Sequence, residues 1–500
     1  MSVNATETEL KYEAAADAVL PPFADLPQVA RAEAAAQEQL DADYFDTDDL
    51  RLISAGVTLR RRVGGHDAGW HLKLPVGNDT RREIRLPLGH SRQRVPAELA
   101  RLVLVHTRGR DLRPVARIST TRTRQLLLDG DGTSLAEVAS DNVTAEALGD
   151  APRTTRWHEV EVELTGGDRD VLDGADRLLQ RAGLRRSAQS AKLGRALSVP
   201  EKAQEPERSG GAARDVLRDY LDAQVAALKA YDPGVRTDEP DAVHQMRVTT
   251  RRLRSMLQTF PGAFGAEGPR IGELITELRW LGEELGAARD AEVLAARLEK
   301  RLAGFPAELV VGPVGARVRG HFARTGAGAL AGMREALGSP RYFALLDALD
   351  LLLDQPPCER ARRDLRRAAR KTYRRTKRRI KHAFSLPAGR PSDEALHEAR
   401  KAAKRSRYAA EAVAPAFGRP ARKLAKRMKR VQSVLGDHQD AVIARAAVRQ
   451  LGMTAHAEGE NAFSYGVIYQ CEVTEADRLR CQARRAWRSA SRPGVRDWLG

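Results

Sequence analysis

The chain has 500 residues, long enough for two or three domains that each bury a core of their own. With 84 Lys and Arg against 67 Asp and Glu it is basic, formal net charge +17, and its most apolar run, Tyr342 to Asp354, is too short and too interrupted by Asp347 and Asp350 to cross a bilayer. Glu7, Glu9, Lys11 and Glu13 exclude the apolar core of a signal peptide, and Cys358, Cys471 and Cys481 have neither disulfide-framework nor zinc spacing, so a reducing, cytoplasmic setting is expected.

The charge is unevenly placed. Residues 1–200 carry 28 Lys and Arg against 30 Asp and Glu, and residues 201–500 carry 56 against 37, so the whole excess belongs to the second part. An anionic polymer is the expected partner there.

In chain order, Glu7-Thr-Glu9-Leu-Lys11 alternates charged and other residues, which in a strand sets all three charges on one face. Basic strands of the same period follow: Thr58–Val63 with Arg60 and Arg62, Trp70–Pro75 with Lys73, Arg81–Leu86 with Glu83 and Arg85, and Arg122-Thr-Arg124. The series closes on Trp157-His-Glu159-Val-Glu161-Val-Glu163-Leu164. Gly64-Gly65, Gly77-Asn78-Asp79 and Asp129-Gly-Asp-Gly132 supply turns, so the region reads as an antiparallel sheet or barrel. Alternating charge on a single strand marks a wet face. Carboxylate strands at both ends with cationic strands between would line one lumen with both signs, which is costly to desolvate unless something neutralises it.

The Glu7-x-Glu9-x-Lys11 signature, with Tyr44-Phe45-Asp46-Thr47, Leu59-Arg60-Arg61-Arg62, Trp70-His71-Leu72-Lys73 and Glu159-x-Glu161-x-Glu163, resembles the CYTH domain over residues 5 to about 185. The resemblance implies a triphosphate tunnel metalloenzyme: an eight-stranded antiparallel barrel that hydrolyses triphosphates with Mg²⁺ or Mn²⁺. It implies Glu7, Glu9 and Lys11 as the catalytic signature, with Glu7 and Glu9 joined by Glu159 and Glu161, or by Glu161 and Glu163, as metal ligands. Lys11, Arg60, Arg62, Lys73, Arg85, Arg122 and Arg124 would hold phosphate oxygens, and Glu83 could add a metal contact.

Residues 170–182 read as a last helix of this domain, and Pro200 to Gly211 as a polar linker with two prolines and a Gly-Gly pair. The expected division is a first domain over 1–186, a linker over 187–213 and an all-α bundle over 214–490. Within the bundle, His244, Arg247, Arg251 and Arg254 stand at i, i+3, i+7 and i+10, an arc of roughly 80° on a helix, with Met246, Leu253, Met256, Leu257 and Phe260 opposite. The series recurs as His397, Arg400, Lys404 and Arg407. Each copy precedes a matching motif, Leu285-Gly286-Ala-Ala-Arg289-Asp290 and Leu435-Gly436-Asp437-His438-Gln439-Asp440, so the bundle reads as two pseudo-symmetric repeats, about 214–350 and 360–490. Four like charges in line repel one another on a helix, and a polyanion would compensate them. A further basic cluster, Arg366 to Lys381, includes Arg374, Lys377 and Arg378.

The duplicated His-x2-Arg-x3-Arg/Lys-x2-Arg helix resembles the CHAD domain over roughly residues 210 to 490. That resemblance implies binding of inorganic polyphosphate through both stripes and the Arg374, Lys377 and Arg378 face, and with it association with polyphosphate granules. Asp290 and Asp440 read as partners that orient stripe residues. Nucleic acid is the competing partner for so basic a chain. Aromatic residues make up only 5% and do not interleave with the basic stripes, and no zinc finger, RRM or P-loop signature is present, which argues against it.

Overall fold

The computed structural model describes residues 3–15, 18–26, 28–77, 79–89, 91–149, 152–189, 191–199, 213–264, 268–355 and 362–500. It divides into two compact units, residues 1–206 and 207–500. Asn78, Cys358 and positions 200–212 of the expected linker lie outside the described residues.

The first unit contains β1 (Val3–Ala14), β2 (Arg31–Asp46), β3 (Thr58–Val63), β4 (Gly69–Pro75), β5 (Thr80–Leu86), β6 (Arg113–Leu128), β7 (Ser134–Ala147), β8 (Arg153–Leu164) and the short β9 (Arg185–Arg186). Strand order β5-β4-β3-β2-β6-β7-β8-β1, with β1 also paired to β5, closes an eight-stranded antiparallel barrel, and β9 adds to β1. β1 closes it in a stagger, pairing Val3–Thr8 with β5 and Glu9–Ala14 with β8. Alternation along each strand sends one set of side chains inward and the other outward.

Two apolar parts of the outward set are covered by helices. Helix α1 (Arg51–Ser54), α2 (Ala97–Leu102) and α3 (Leu104–Thr107) bring Leu52, Leu99, Leu102 and Val103 onto Phe45, Leu59, Trp70 and Leu72. On the other side α4 (Arg169–Arg181) lays Val171, Leu172, Ala175 and Leu179 on Leu10, Tyr12, Val160 and Val162. The Tyr44-Phe45-Asp46-Thr47 motif resolves into three tasks. Tyr44 lines the lumen, Phe45 the outer core, and buried Asp46 accepts the backbone N–H groups of Thr47, Leu52 and Ile53 at 2.7, 2.8 and 2.9 Å, tying α1 to the barrel wall.

The expected linker is corrected at its start. Residues 192–197 form α5 (Lys192–Leu197), whose Leu193 and Ala196 pack against Ala42, Tyr44, Ile118, Val143, Ala145 and Trp157. Those strand residues share the inward parity of the lumen charges, so α5 closes the apolar end of the lumen and leaves the charged part to the other end. The polar, low-complexity look of Ser187–Ala191 hid a plug whose charge is satisfied only inside the barrel.

The second unit is helical: α6 (Ala213–Arg236), α7 (Ala242–Thr259), α8 (Gly268–Ala303), α9 (Val314–Leu337), α10 (Pro340–Asp354), α11 (Arg362–Ser385), α12 (Arg390–Ala412), α13 (Ala414–Phe417), α14 (Arg419–Ala457), α15 (Phe463–Ala490) and α16 (Pro493–Arg496). α7 packs between α6 and α8, and α12 between α11 and α14; α7 and α12 also meet each other. Fully buried Glu472 of α15 binds Arg297 at 2.5 Å and Arg301 at 3.1 Å, linking it to α8. Beyond position 490, Val495 and Leu499 are buried in the core formed by α11, α12, α14 and α15, so the chain packs past the expected boundary. Among the described residues, no helix is long and apolar enough to cross a membrane.

Candidate functional site

Among the described residues, nine Lys and Arg and eight Asp and Glu side chains line the barrel lumen, a cavity of about 210 Å³. Neither sign dominates, so the lumen suits a ligand that brings both charges. Glu7, Glu9, Lys11, Arg60, Arg62, Lys73, Arg85, Arg122, Arg124, Glu161 and Glu163 all face it, as does Glu83.

Four of these carboxylates, with Asp141 and Glu159 beside the cavity, form two groups. Asp141 of β7 with Glu159 and Glu161 of β8 forms a buried cluster whose oxygens lie within 4.8 Å of one another, a set of hard oxygen donors that could hold a metal ion. The Lys192 ammonium sits among them, 2.8 Å from Asp141, 2.7 Å from Glu159 and 2.8 Å from Glu161. Arg122 adds a fork to Asp141 at 2.8 and 2.6 Å and reaches Glu161 at 2.5 Å, and Lys11 pairs with Glu161. Burial opposes ionisation here, yet Lys192 and Arg122 keep Asp141 below its ordinary range, and Lys11, Lys192 and Arg122 hold Glu161 well below its own.

The second group is Glu7, Glu9 and Glu163. Glu7 binds Lys73 and, at 3.0 Å, Arg85, while Glu9 lies 3.5 Å from Lys11. Burial raises Glu7 despite Lys73; Glu9, equally disfavoured by burial, is brought down by Lys11 and Lys73. Glu163 stands opposite Glu9 across the β1–β8 ladder, and burial followed by the charges of Glu7 and Glu9 pushes it up to about 7, with Lys73 opposing. A cation brought into this group would relieve it, which fits a divalent ion.

A folded-state value near 7 against an ordinary 4.5 means that Glu163 opposes folding increasingly as pH rises through that window. Glu163→Gln is therefore expected to stabilise the metal-free barrel by up to about 3 kcal/mol at pH 8 and by little at pH 4, read from its thermal unfolding at the two pH values.

Two of the other cations are held by carboxylates as well and a third by a hydroxyl. Arg62 pairs with Asp67, and Arg124 with Glu38 at 2.5 Å and Glu137 at 3.4 Å, while Arg60 donates to the Tyr44 hydroxyl at 3.2 Å. Burial and the neighbouring Arg60 press Arg62 down to about 10. Glu83 is tied to His71 at 2.8 Å and to Arg85, so it braces the lumen wall. Asp141, Lys192, Glu38, Glu137 and Asp67 were missed in the sequence. Asp141 follows Ala139 and precedes Val143 on its face, and Lys192 lies in a Ser/Ala-rich stretch; the one cue was Leu193 and Ala196 three apart beside it.

In the helical unit α7 carries His244, Arg247, Arg251 and Arg254, and α12 carries His397, Arg400, Lys404 and Arg407, with Met246, Leu253, Leu257, Leu396 and Ala403 on their buried sides. The stripes converge. Burial, then Arg400, Arg251 and Arg247, drive Lys404 down to about 6, with Asp440 of α14 opposing. Burial also lowers Arg251 and Arg254, Arg247 and Arg400 pressing on the first, Arg279 and Arg251 on the second. Among the described residues no ion pair engages Arg251, Arg254, Arg400 or Lys404, whereas Arg247 is bound to Asp290 at 2.6 and 3.1 Å and Arg407 to Glu411 at 2.6 Å. Burial lowers both His244 and His397, and Gln439 hydrogen-bonds the latter. On α11, Arg374, Lys377 and Arg378 are exposed, and it is Arg375 whose charge acts on Arg405 beside the cluster.

Fold and sites together define a two-part protein, a closed barrel with a doubly charged lumen followed by a helical domain with a cationic centre. The chain belongs to the CYTH and CHAD domain-containing proteins: the CYTH domain matches residues 5–191 and the CHAD domain residues 219–449. It is 39% identical over 507 residues to the uncharacterized protein Rv2226 of Mycobacterium tuberculosis strain H37Rv, covering 96% of each chain, and equally to MT2285 of strain CDC 1551. Among solved structures it is similar to PptA from Streptomyces chartreusis, with 24% identity, TM-score 0.46 and coverage of 56% of this chain and 100% of that one. The CHAD domain of Ricinus communis gives 24% identity, TM-score 0.40 and coverage of 58% and 92%. HpAC1 from Hippeastrum, described as having a dominant triphosphatase activity, gives 16%, 0.24, and 39% and 95%.

Proposed function

We propose that the protein binds inorganic polyphosphate through its helical domain and hydrolyses the phosphoanhydride bonds of a triphosphate in its barrel, with Mg²⁺ or Mn²⁺, in the cytoplasm and in association with polyphosphate granules. The observation that carries the reading is the lumen in which nine cations and eight carboxylates face one another. A triphosphate and a divalent ion together match both sets.

Glu7, Glu9, Asp141, Glu159, Glu161 and Glu163 are the residues that would hold the ion, which when bound would supply charge neutralisation and activation of an attacking water. Lys11, Arg62, Lys73, Arg85, Arg122 and Arg124 exchange carboxylate partners, and Arg60 the Tyr44 hydroxyl, for phosphate oxygens. Fixed before the reaction, these cations stabilise the charge that develops as the phosphoanhydride bond breaks. Tyr44 is the one phenol or indole ring lining the charged cavity among the described residues, Trp157 being covered by α5, and its hydroxyl is engaged by Arg60. A nucleobase would find no stacking platform, which favours an inorganic chain.

In the helical domain the half-buried Arg251, Arg254, Arg400 and Lys404, which have no carboxylate partner among the described residues, favour a polyanion that also meets His244, Arg247, His397 and Arg407 and extends over Arg374, Lys377 and Arg378. Competition on the full chain tests this half: long-chain polyphosphate displaces bound duplex DNA at far lower charge equivalents than the reverse. Equal displacement in both directions would favour nucleic acid.

A further inference from the structure

Two glycines in the second unit sit where helices ordinarily avoid them. Gly286 lies inside the 36-residue α8 and Gly436 inside the 39-residue α14, both buried. Glycine is the poorest helix former after proline, so an interior one needs a reason. A Cβ on Gly286 would stand 3.1 Å from Arg247 Nη2, 3.3 Å from Cζ and 3.5 Å from Nε. On Gly436 it would stand 3.2 Å from Arg400 Nη2, 3.4 Å from Nε and 3.6 Å from Cζ. The same three atoms recur at nearly equal range, so in both places the guanidinium of a stripe arginine rests against the glycine. Other glycines of α8 differ: a Cβ at Gly272 meets nothing within 4 Å, and at Gly282 only Thr250 Cγ2 at 3.8 Å.

Resting on the polyphosphate reading above, we propose that Gly286 and Gly436 are positioning residues that seat Arg247 and Arg400, so that each stripe presents a fixed guanidinium edge to the anion. Each seat has a carboxylate one turn on. Asp290, four residues after Gly286, grips the Arg247 edge, and Asp440, four after Gly436, acts on Arg400 by charge. A seated arginine loses little conformational freedom when a phosphate arrives, and binding is tighter for that. An added methyl pushes the tip of a flexible side chain, so the helix can accept it while the guanidinium is displaced.

The two effects have opposite signs, which makes the test sharp. In the full chain, Gly286→Ala/Gly436→Ala is expected to keep or raise the thermal stability of the helical domain and to weaken binding of long-chain polyphosphate about tenfold. Gly272→Ala, the control on the same helix, should leave affinity unchanged. A double variant that binds as tightly as wild type overturns the inference, as does one whose affinity falls only together with its stability. If wild type binds no polyphosphate, the functional reading fails by itself, and the seats are judged by phenylglyoxal modification of Arg247 and Arg400 followed by mass spectrometry. Faster modification in the double variant is expected there; equal rates overturn the seats.

Discussion

Lys192→Met is expected to lower the stability of the metal-free barrel by about 3–5 kcal/mol and to make that stability respond to added Mg²⁺ or Mn²⁺ far more strongly than in wild type. The ammonium lies 2.7–2.8 Å from Asp141, Glu159 and Glu161, three buried carboxylates that Arg122 and Lys11 cannot balance alone. Methionine keeps the length and packing of the stem inside α5, so the change removes a charge more than a shape. Removing one member of a buried charge network leaves the others desolvated and uncompensated, among the most costly single changes a fold suffers. A divalent ion entering the vacated place would restore the balance, and no ammonium would compete with it. Thermal unfolding with and without metal, on both proteins, reads the outcome. An unchanged metal-free stability, or equal metal responses, would contradict the assignment of this cluster as a cation site.

The second large effect is one of pH. Polyphosphate affinity of the full chain is expected to rise as pH falls from about 8 to about 6, by up to about tenfold per unit, and Lys404→Met to remove most of that slope. Lys404 faces Arg400 on its own helix, Arg247 and Arg251 of α7, and Asp440 of α14; burial and the three guanidiniums bring it down to about 6. At pH 8 the free protein therefore holds the neutral amine, and a polyanion in the cluster favours the ammonium, so binding takes up a proton. Burial lowers His244 and His397 as well, and a bound polyanion would draw protons to them in the same sense, so the variant's lost share of the slope is what reports on the lysine. The sign is opposite for the unliganded fold. Between about 6 and the unfolded value of 10.5 it binds fewer protons than the unfolded chain, so Lys404 lets it gain stability as pH rises. A pH-independent affinity, or an equal slope in the variant, would contradict the convergence of the stripes on Lys404.

The barrel was legible because its charges alternate with period two along β1, β3, β4, β5 and β8, and the helical domain because its apolar and basic residues keep period 3.6. The lumen was legible only where a strand announces itself by repeated charge. Asp141 is a single carboxylate between Ala139 and Val143, and Lys192 a single amine on a six-residue helix beyond the last long strand. Both join the charged cluster by position alone, and position came from closure of the barrel and the return of the chain across its end. Carboxylates that hold the basic strands in register, Glu38, Asp67 and Glu137, were equally hidden: partnership across strands is not written in any one of them. In the helices, spacing gave the stripes, and only packing could bring Arg251 of α7 against Arg400 of α12.

Everything proposed for the barrel rests on metal-dependent hydrolysis of a triphosphate in its lumen. Orthophosphate release from tripolyphosphate by the full chain and by Glu7→Ala/Glu9→Ala, in Mg²⁺ and then in Mn²⁺, tests it most directly. Metal-dependent release is expected from wild type, reduced about a hundredfold or more in the variant. Release that persists in the variant, or its absence from folded wild type with either metal, would contradict it.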